Sequence, residues 1–187
     1  MRQFFAVMVA VLGLGIMASA QVPTGGNIFL GYSYFNADTN VSNRATLNGW
    51  NGSLEGKVFP FVGIVADVGE YYGTQSSPVA ACTGVIGSPC AASSDFNTRI
   101  WTATFGPRVS FSVGKFRPFV HGLVGVSRIS GSPGGSDTSL ADTLGGGIDY
   151  HLIPLIAWRI QADELQTRFF SATQNNLRLS TGIVFHF

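Results

Sequence analysis

The sequence predicts an all-β fold: one eight-stranded antiparallel up-and-down transmembrane β-barrel. Three observations predict it. Apolar and polar residues alternate with period 2 in most of eight successive pieces, the mark of strands with one face buried. The connections between those pieces are alternately short and long, so short turns gather at one end of a meander and long loops at the other. Charged residues are only 11% of the chain, against ~25% in ordinary globular proteins, while aromatics reach 12% and Gly 24 residues.

The pieces fall at about 27–35, 48–59, 61–72, 98–109, 117–129, 141–152, 155–168 and 176–187. The second sets Trp50, Leu54 and Val58 against Asn51, Ser53, Glu55 and Lys57. The third sets Val62, Ile64, Ala66 and Val68 against Gly63, Val65, Asp67 and Gly69. The sixth opposes Leu144, Ile148, Tyr150 and Leu152 to Gly145, Gly147, Asp149 and His151. In the seventh, Ile156, Trp158, Ile160 and Ala162 face away from Ala157, Arg159, Gln161 and Asp163. The eighth carries Leu177, Leu179, Ile183, Phe185 and Phe187 on one face and Asn176, Arg178, Ser180, Gly182 and His186 on the other. The first, fourth and fifth are less regular: Phe29, Phe35, Leu123 and Ile129 fall on the face that is otherwise polar. Little beyond Pro60, the stretch SFSVGKF and Ile153-Pro154 make the short turns. NADTNVSNRAT, residues 73–97, SGSPGGSDTS and SATQN make the longer connections.

At the start, Arg2 precedes the apolar run FFAVMVAVLGLGIM and then Ala18-Ser19-Ala20. A basic start, a short apolar run and an A-x-A-like site predict a cleaved signal peptide over 1–20. The run is shorter than the roughly 18–20 residues of a membrane anchor. Residues 21–187 then form a single barrel domain. Without Arg2, Lys and Arg balance Asp and Glu, which removes any electrostatic case for nucleic acid.

The same alternation would serve a soluble, lipocalin-like barrel with its apolar face turned inward around a ligand. Three features argue for the opposite sense. The polar face is mostly Gly, Ser, Thr and Ala rather than Lys and Glu, which suits a narrow lumen. Its few charges balance and so are expected to pair: Glu55, Asp67, Asp149 and Asp163 with Lys57, Arg108, Arg159 and Arg178. Aromatics lie near the strand ends of the apolar face, with Tyr32, Tyr34, Trp50 and Trp101 toward the loops, and Tyr150, Trp158, Phe185 and Phe187 toward the turns. Two such girdles around an apolar band are what a bilayer-spanning barrel presents. Of the charge pairs, Asp163 with Arg159 or Arg178 is the best single guess, because pieces seven and eight are neighbours.

With these strands and the ending GIVFHF in view, the chain resembles the small outer-membrane barrels of the OmpA/OmpX type, as an isolated barrel without a peptidoglycan-binding domain. The resemblance implies bacterial outer-membrane residence, contact with outer-membrane lipid and lipopolysaccharide, and a Phe187 read by the outer-membrane assembly machinery. It also implies that the long loops are the working surface, toward an extracellular partner the sequence does not name.

Candidates for chemistry are few. Cys82 and Cys90, the only cysteines, lie in the longest loop and predict a disulfide in an oxidising compartment, with two free thiols as the alternative. A metal site there lacks a nearby His. His121, His151 and His186 fall on the lumen side, in the contexts HGL, HLI and HF, without the H-x-S pair of the lipid A deacylase barrels or any G-x-S-x-G or H-E-x-x-H. The glycine runs LGLG and LGGGID do not sit between a strand and a helix, as a nucleotide site requires. The expectation is a non-enzymatic barrel without cofactor or metal, its lumen largely plugged by side chains. A small ion-conducting pore, the soluble ligand-binding barrel and a lipid-modifying enzyme are the alternatives.

Overall fold

The computed structural model describes residues 25–37, 45–79, 92–131, 135–169 and 173–187. The signal segment 1–20 and the pair Cys82 and Cys90 lie outside them. Eight strands form one closed barrel in sequence order. They are β1 (Gly26–Ala37), β2 (Ala45–Lys57), β3 (Val62–Val79), β4 (Ala92–Ser110), β5 (Phe116–Gly131), β6 (Gly135–Ile153), β7 (Ile156–Thr167) and β8 (Gln174–His186). Each pairs antiparallel with the next, and β1 pairs with β8 to close the wall. Phe187 takes part in that seam: its N–H donates to the Gly26 carbonyl at 3.1 Å, and the Gly26 N–H donates to the Phe187 carbonyl at 2.9 Å.

One hydrogen-bonded row measures the stagger. From Lys57 on β2 it passes through Gly63, Arg108, His121, Gly145, Asp163, Arg178 and Phe35, and returns to β2 at Leu47, ten positions from its start. Ten residues of stagger over eight strands give a strand lean of about 40° and a wall radius of about 8 Å, from a rise of ~3.3 Å per residue and a strand spacing of ~4.8 Å. Rows therefore climb the wall as a shallow spiral rather than lying flat.

The apolar face points outward. Leu30, Leu54, Ile64, Phe105, Val120, Val124, Leu144, Ile160, Leu179 and Ile183 are exposed on the outer wall, whereas Asn51, Asp67, Thr102, Arg108, Asp149, Arg159, Asp163 and Arg178 are buried inside. Trp50, Trp101, Trp158 and Phe185 are exposed on the outside, and Tyr150 lies half-buried against Phe116 with ring centroids 5.1 Å apart. Trp158 donates its indole N–H to Thr181 Oγ1 at 2.9 Å, so this outward polar atom has a protein partner.

The residues that interrupt the sequence alternation have an interior place. Phe35 joins Ala37, Leu47, Tyr71, Ile100 and Leu165 in an apolar cluster toward the loop end, with Ile129 against it. Phe29 joins Ala157 and Val184 toward the turn end. The polar network lies between and around them.

Three strands, β3, β4 and β6, extend well beyond their sequence boundaries. The β3–β4 ladder continues through Val79↔Ala92, well into the stretch expected to be loop, and β6 begins at Gly135 rather than near 141. These extensions are rich in Ser, Thr and Asp, and alternation reports a strand only where its two faces meet different environments.

Candidate functional site

The interior of the barrel collects the charged side chains, and sheet register explains most of their partners. Five lumen pairs stand directly opposite each other on adjacent strands: Asn27 and Glu55, Arg108 and His121, Asp149 and Arg159, Asp163 and Arg178, Ser33 and Ser180. Each is a hydrogen-bonded contact. Asn27 Nδ2 donates to Glu55 Oε2 at 2.8 Å, and Arg159 grips Asp149 through Nε at 2.6 Å and Nη2 at 2.9 Å. Arg178 Nε donates to Asp163 Oδ2 at 2.8 Å, and the hydroxyls of Ser33 and Ser180 are 2.7 Å apart.

Other bonds cross the lumen. Arg178 Nη1 reaches Asp67 Oδ1 on β3 at 2.7 Å and the Tyr71 hydroxyl at 3.0 Å. Glu55 on β2 accepts from Arg108 Nη1 at 3.2 Å and from Arg117 Nη2 at 2.9 Å, on β4 and β5. Asn51 Nδ2 holds the second oxygen of Asp67 at 2.9 Å. The guanidiniums of Arg108 and Arg159 both lie over the ring of Phe119, 4.3 and 4.6 Å from its centroid, so the cations have a polarisable surface as well as anions.

His121 joins two parts of this network. Its Nδ1 is 3.2 Å from Arg108 Nη2, and its Nε2 is 3.0 Å from Asp163 Oδ1. A guanidinium only donates and a carboxylate only accepts, so both bonds form when Nε2 carries the hydrogen and Nδ1 is bare. Gly145 makes the second bond possible. It stands between His121 and Asp163 in the climbing row, and a Cβ there would lie 2.0 Å from Asp163 Oδ1. Gly63 serves Glu55 in the same way, since a Cβ would come within 2.8 Å of Oε1.

Seven of the eight charges expected to meet in the lumen enter this network: Glu55, Asp67, Arg108, Asp149, Arg159, Asp163 and Arg178. Lys57 does not. It is half-buried and forms no ion pair with another described residue, because Arg117 and Arg108 already occupy the carboxylate of Glu55. Arg117 is the cation the sequence reading omitted. It shares parity with Phe119 and His121, and that is the signal that could have found it. Of the two partners considered for Asp163, Arg178 is the one it meets, while Arg159 is held by Asp149 across the β6–β7 ladder. At the turn end, Arg117 Nη1 lies 3.4 Å from His186 Nε2, and the rings of His186 and His151 stack at 4.8 Å. Among the described residues no group of three metal-ligating side chains converges.

No protein-family model matches the sequence, and no curated protein matches it. Solved structures do. The fold is similar to that of Neisserial surface protein A, at 13% identity and a TM-score of 0.66 over 87% of this chain and 97% of that one. It is also similar to Ail, the attachment invasion locus protein of Yersinia pestis, at 15% identity and a TM-score of 0.56 over 86% and 98%, in a complex with the heparin analogue sucrose octasulfate. The outer membrane protein OprG of Pseudomonas aeruginosa matches at 11% identity and a TM-score of 0.53 over 89% and 97%. The architecture is thus that of the small eight-stranded outer-membrane barrels.

Proposed function

We propose that this protein is an integral outer-membrane barrel whose interior is closed by its own side chains and which acts through its loop-end surface. The observation that carries the reading is the sense of the wall: large apolar side chains outward all round, a paired ionic network inward. Exposed apolar surface of that extent is unstable in water and stable in a bilayer. Inside, Arg108, Arg159 and Arg178 are fully buried and paired, and the cluster of Phe35, Leu47, Tyr71, Ile100 and Leu165 lies above them, which supports a blocked lumen. The β3–β4 hairpin supports a surface role. Its paired backbone runs seven positions past Tyr72↔Arg99, further than any neighbouring ladder at that end. The Cys82–Cys90 segment connects its strands, so the expected disulfide would close the tip.

Fractionation followed by gel mobility of unboiled and boiled samples tests membrane residence. A folded band in the outer-membrane fraction that shifts on boiling is expected. Recovery in the soluble periplasm would overturn the reading. A narrow pore is the second possibility, favoured by Ser53 Oγ, Thr104 Oγ1, Thr143 Oγ1 and Gln161 Oε1, buried oxygens that find no partner among the described residues. Planar-bilayer recording separates the two, since a blocked lumen gives no stepwise conductance.

A further inference from the structure

We propose that the turn-end mouth of the lumen is an anion site, which takes a phosphate group between Lys57 on β2 and Arg117 on β5. The site stands on the side chains of the mouth and goes beyond the closed-barrel reading, which supplies only the side of the membrane it faces.

Along a hydrogen-bonded row each strand step climbs about 3 Å, and along a strand each residue climbs about 2.5 Å. By that measure Lys57, Arg117, His151 and His186 come within ~3 Å of one level, just inside the turns. They stand on β2, β5, β6 and β8, around a wall of about 8 Å radius, so long side chains meet near its axis. Arg117 shows this reach: its Nη2 crosses from β5 to Glu55 Oε1 on β2 at 2.9 Å, while its Nη1 has only the 3.4 Å contact with His186 Nε2. Lys57 is near enough to feel the charges of both Glu55 and Arg117. Its neighbours in the row are Gly25, whose carbonyl accepts the Lys57 N–H at 3.1 Å, and Gly63. No side chain stands beside it there.

The ion pairs below the mouth leave this half of the lumen short of anions. Arg108, Arg117, Arg159 and Lys57 face only Glu55 and Asp149, an excess of two positive charges. Toward the loops the balance reverses, with Asp67 and Asp163 sharing Arg178. Arg108 Nε, Arg159 Nη1 and His186 Nδ1 belong to the turn-end half and find no acceptor among the described residues. Cations gathered without an anion repel one another, and a phosphate group accepts from an ammonium and a guanidinium at once. The rim adds exposed Lys115 and, among the described residues of the turns, no carboxylate. Exposed Phe59, Phe61, Phe111 and Leu155 carry the apolar band down to the same rim, which sets the mouth at the level of phospholipid headgroups. The phosphate can therefore come from a headgroup or from free phosphate.

Lys57 and Lys115 are the only lysines of the chain, so an amine-acetylating reagent reads the site at one and its control at the other. The full barrel is refolded in uncharged micelles, and acetylation rates of both lysines are followed by mass spectrometry. Inorganic phosphate, a short-chain phosphatidylglycerol, and sodium chloride at matched ionic strength are added in separate arms. At least fivefold slowing at Lys57 relative to Lys115 is expected with phosphate or with the anionic lipid, and none with chloride. Slowing by both shows that free phosphate suffices, and slowing by the lipid alone identifies the headgroup as the source. Arg117→Gln is expected to lose most of the effect. Absence of slowing in both arms, or equal slowing by chloride, would overturn the proposal whether or not that variant folds. Full slowing in a folded Arg117→Gln variant would do so too. A barrel that never forms the heat-shiftable band would overturn the outer-membrane reading itself, a result distinct from these.

Discussion

Arg178 on β8 and Asp67 on β3 meet across the lumen at 2.7 Å, although the sheet neighbours of β8 are β1 and β7. The same guanidinium also holds Asp163 beside it, so one buried cation serves two buried carboxylates on different walls. Removing one member of such a group costs more than its own bonds, because the remaining charges stay in a low-dielectric interior without compensation. Arg178→Met is therefore expected to destabilise the folded barrel by about 3–5 kcal/mol. The midpoint of urea unfolding in vesicles measures it. Asp67→Asn, which leaves Arg178 paired with Asp163, is expected to cost less, and the two changes together less than their sum.

Gly145 and Gly122 should respond in opposite directions to the same methyl group. At Gly145 the new Cβ would collide with the Asp163 carboxylate and separate it from His121, so Gly145→Ala is expected to cost about 1–3 kcal/mol. At Gly122, on the outer wall, a Cβ meets nothing within 4 Å. Gly122→Ala is expected to stabilise the strand by roughly 0.5–1 kcal/mol. Unfolding midpoints of the two variants, compared in one lipid, check the pair.

The outward carboxylates of Asp142 and Glu164 form no ion pair with a described residue and are flanked by Leu140, Leu144 and Val124. Charge on a lipid-facing wall is unfavourable in proportion to its depth. Replacing both, as Asp142→Asn with Glu164→Gln, is expected to raise stability in vesicles by roughly 0.5–1 kcal/mol. An unchanged or lowered midpoint would indicate that this face meets water or a cationic partner.

The tip of the β3–β4 hairpin offers a chemical test. The two cysteines are expected to resist alkylation in the exported protein until a reductant is added, and intact-mass measurement reads this directly. The same spectrum is expected to show a chain beginning at Gln21 if the leader is removed where the A-x-A-like site predicts.

How much of this was legible in the sequence depended on whether a feature is periodic or positional. Strand number, order and the two faces follow from alternation, and pieces two, three, six, seven and eight announce them plainly. Phe29, Phe35, Leu123 and Ile129 blurred the pattern because a narrow lumen buries apolar side chains as readily as paired charges, so the inward face is not uniformly polar. The ion pairs needed register, which alternation does not supply. Asp163 with Arg178 was accessible because pieces seven and eight follow one another and so are neighbours in the sheet. Arg117 with Glu55, and Arg178 with Asp67, cross the interior between strands that are not neighbours. Lys57 illustrates the same limit: its face was readable, but the prior claim of two arginines on Glu55 was not.

The seam between β1 and β8 is built from the same antiparallel ladder as every other junction, and Gly26 and Phe187 sit within bonding distance there. The barrel is therefore a ring on which the position of the chain break is a matter of covalent bookkeeping. A circular permutant that joins residue 187 to the start of β1 through a short linker, and opens the chain in a loop-end connection instead, would keep every strand pairing and every lumen bond described above. In such a chain a junction now made by chain ends becomes an ordinary hairpin, and a present hairpin becomes the closure that must find its partner last.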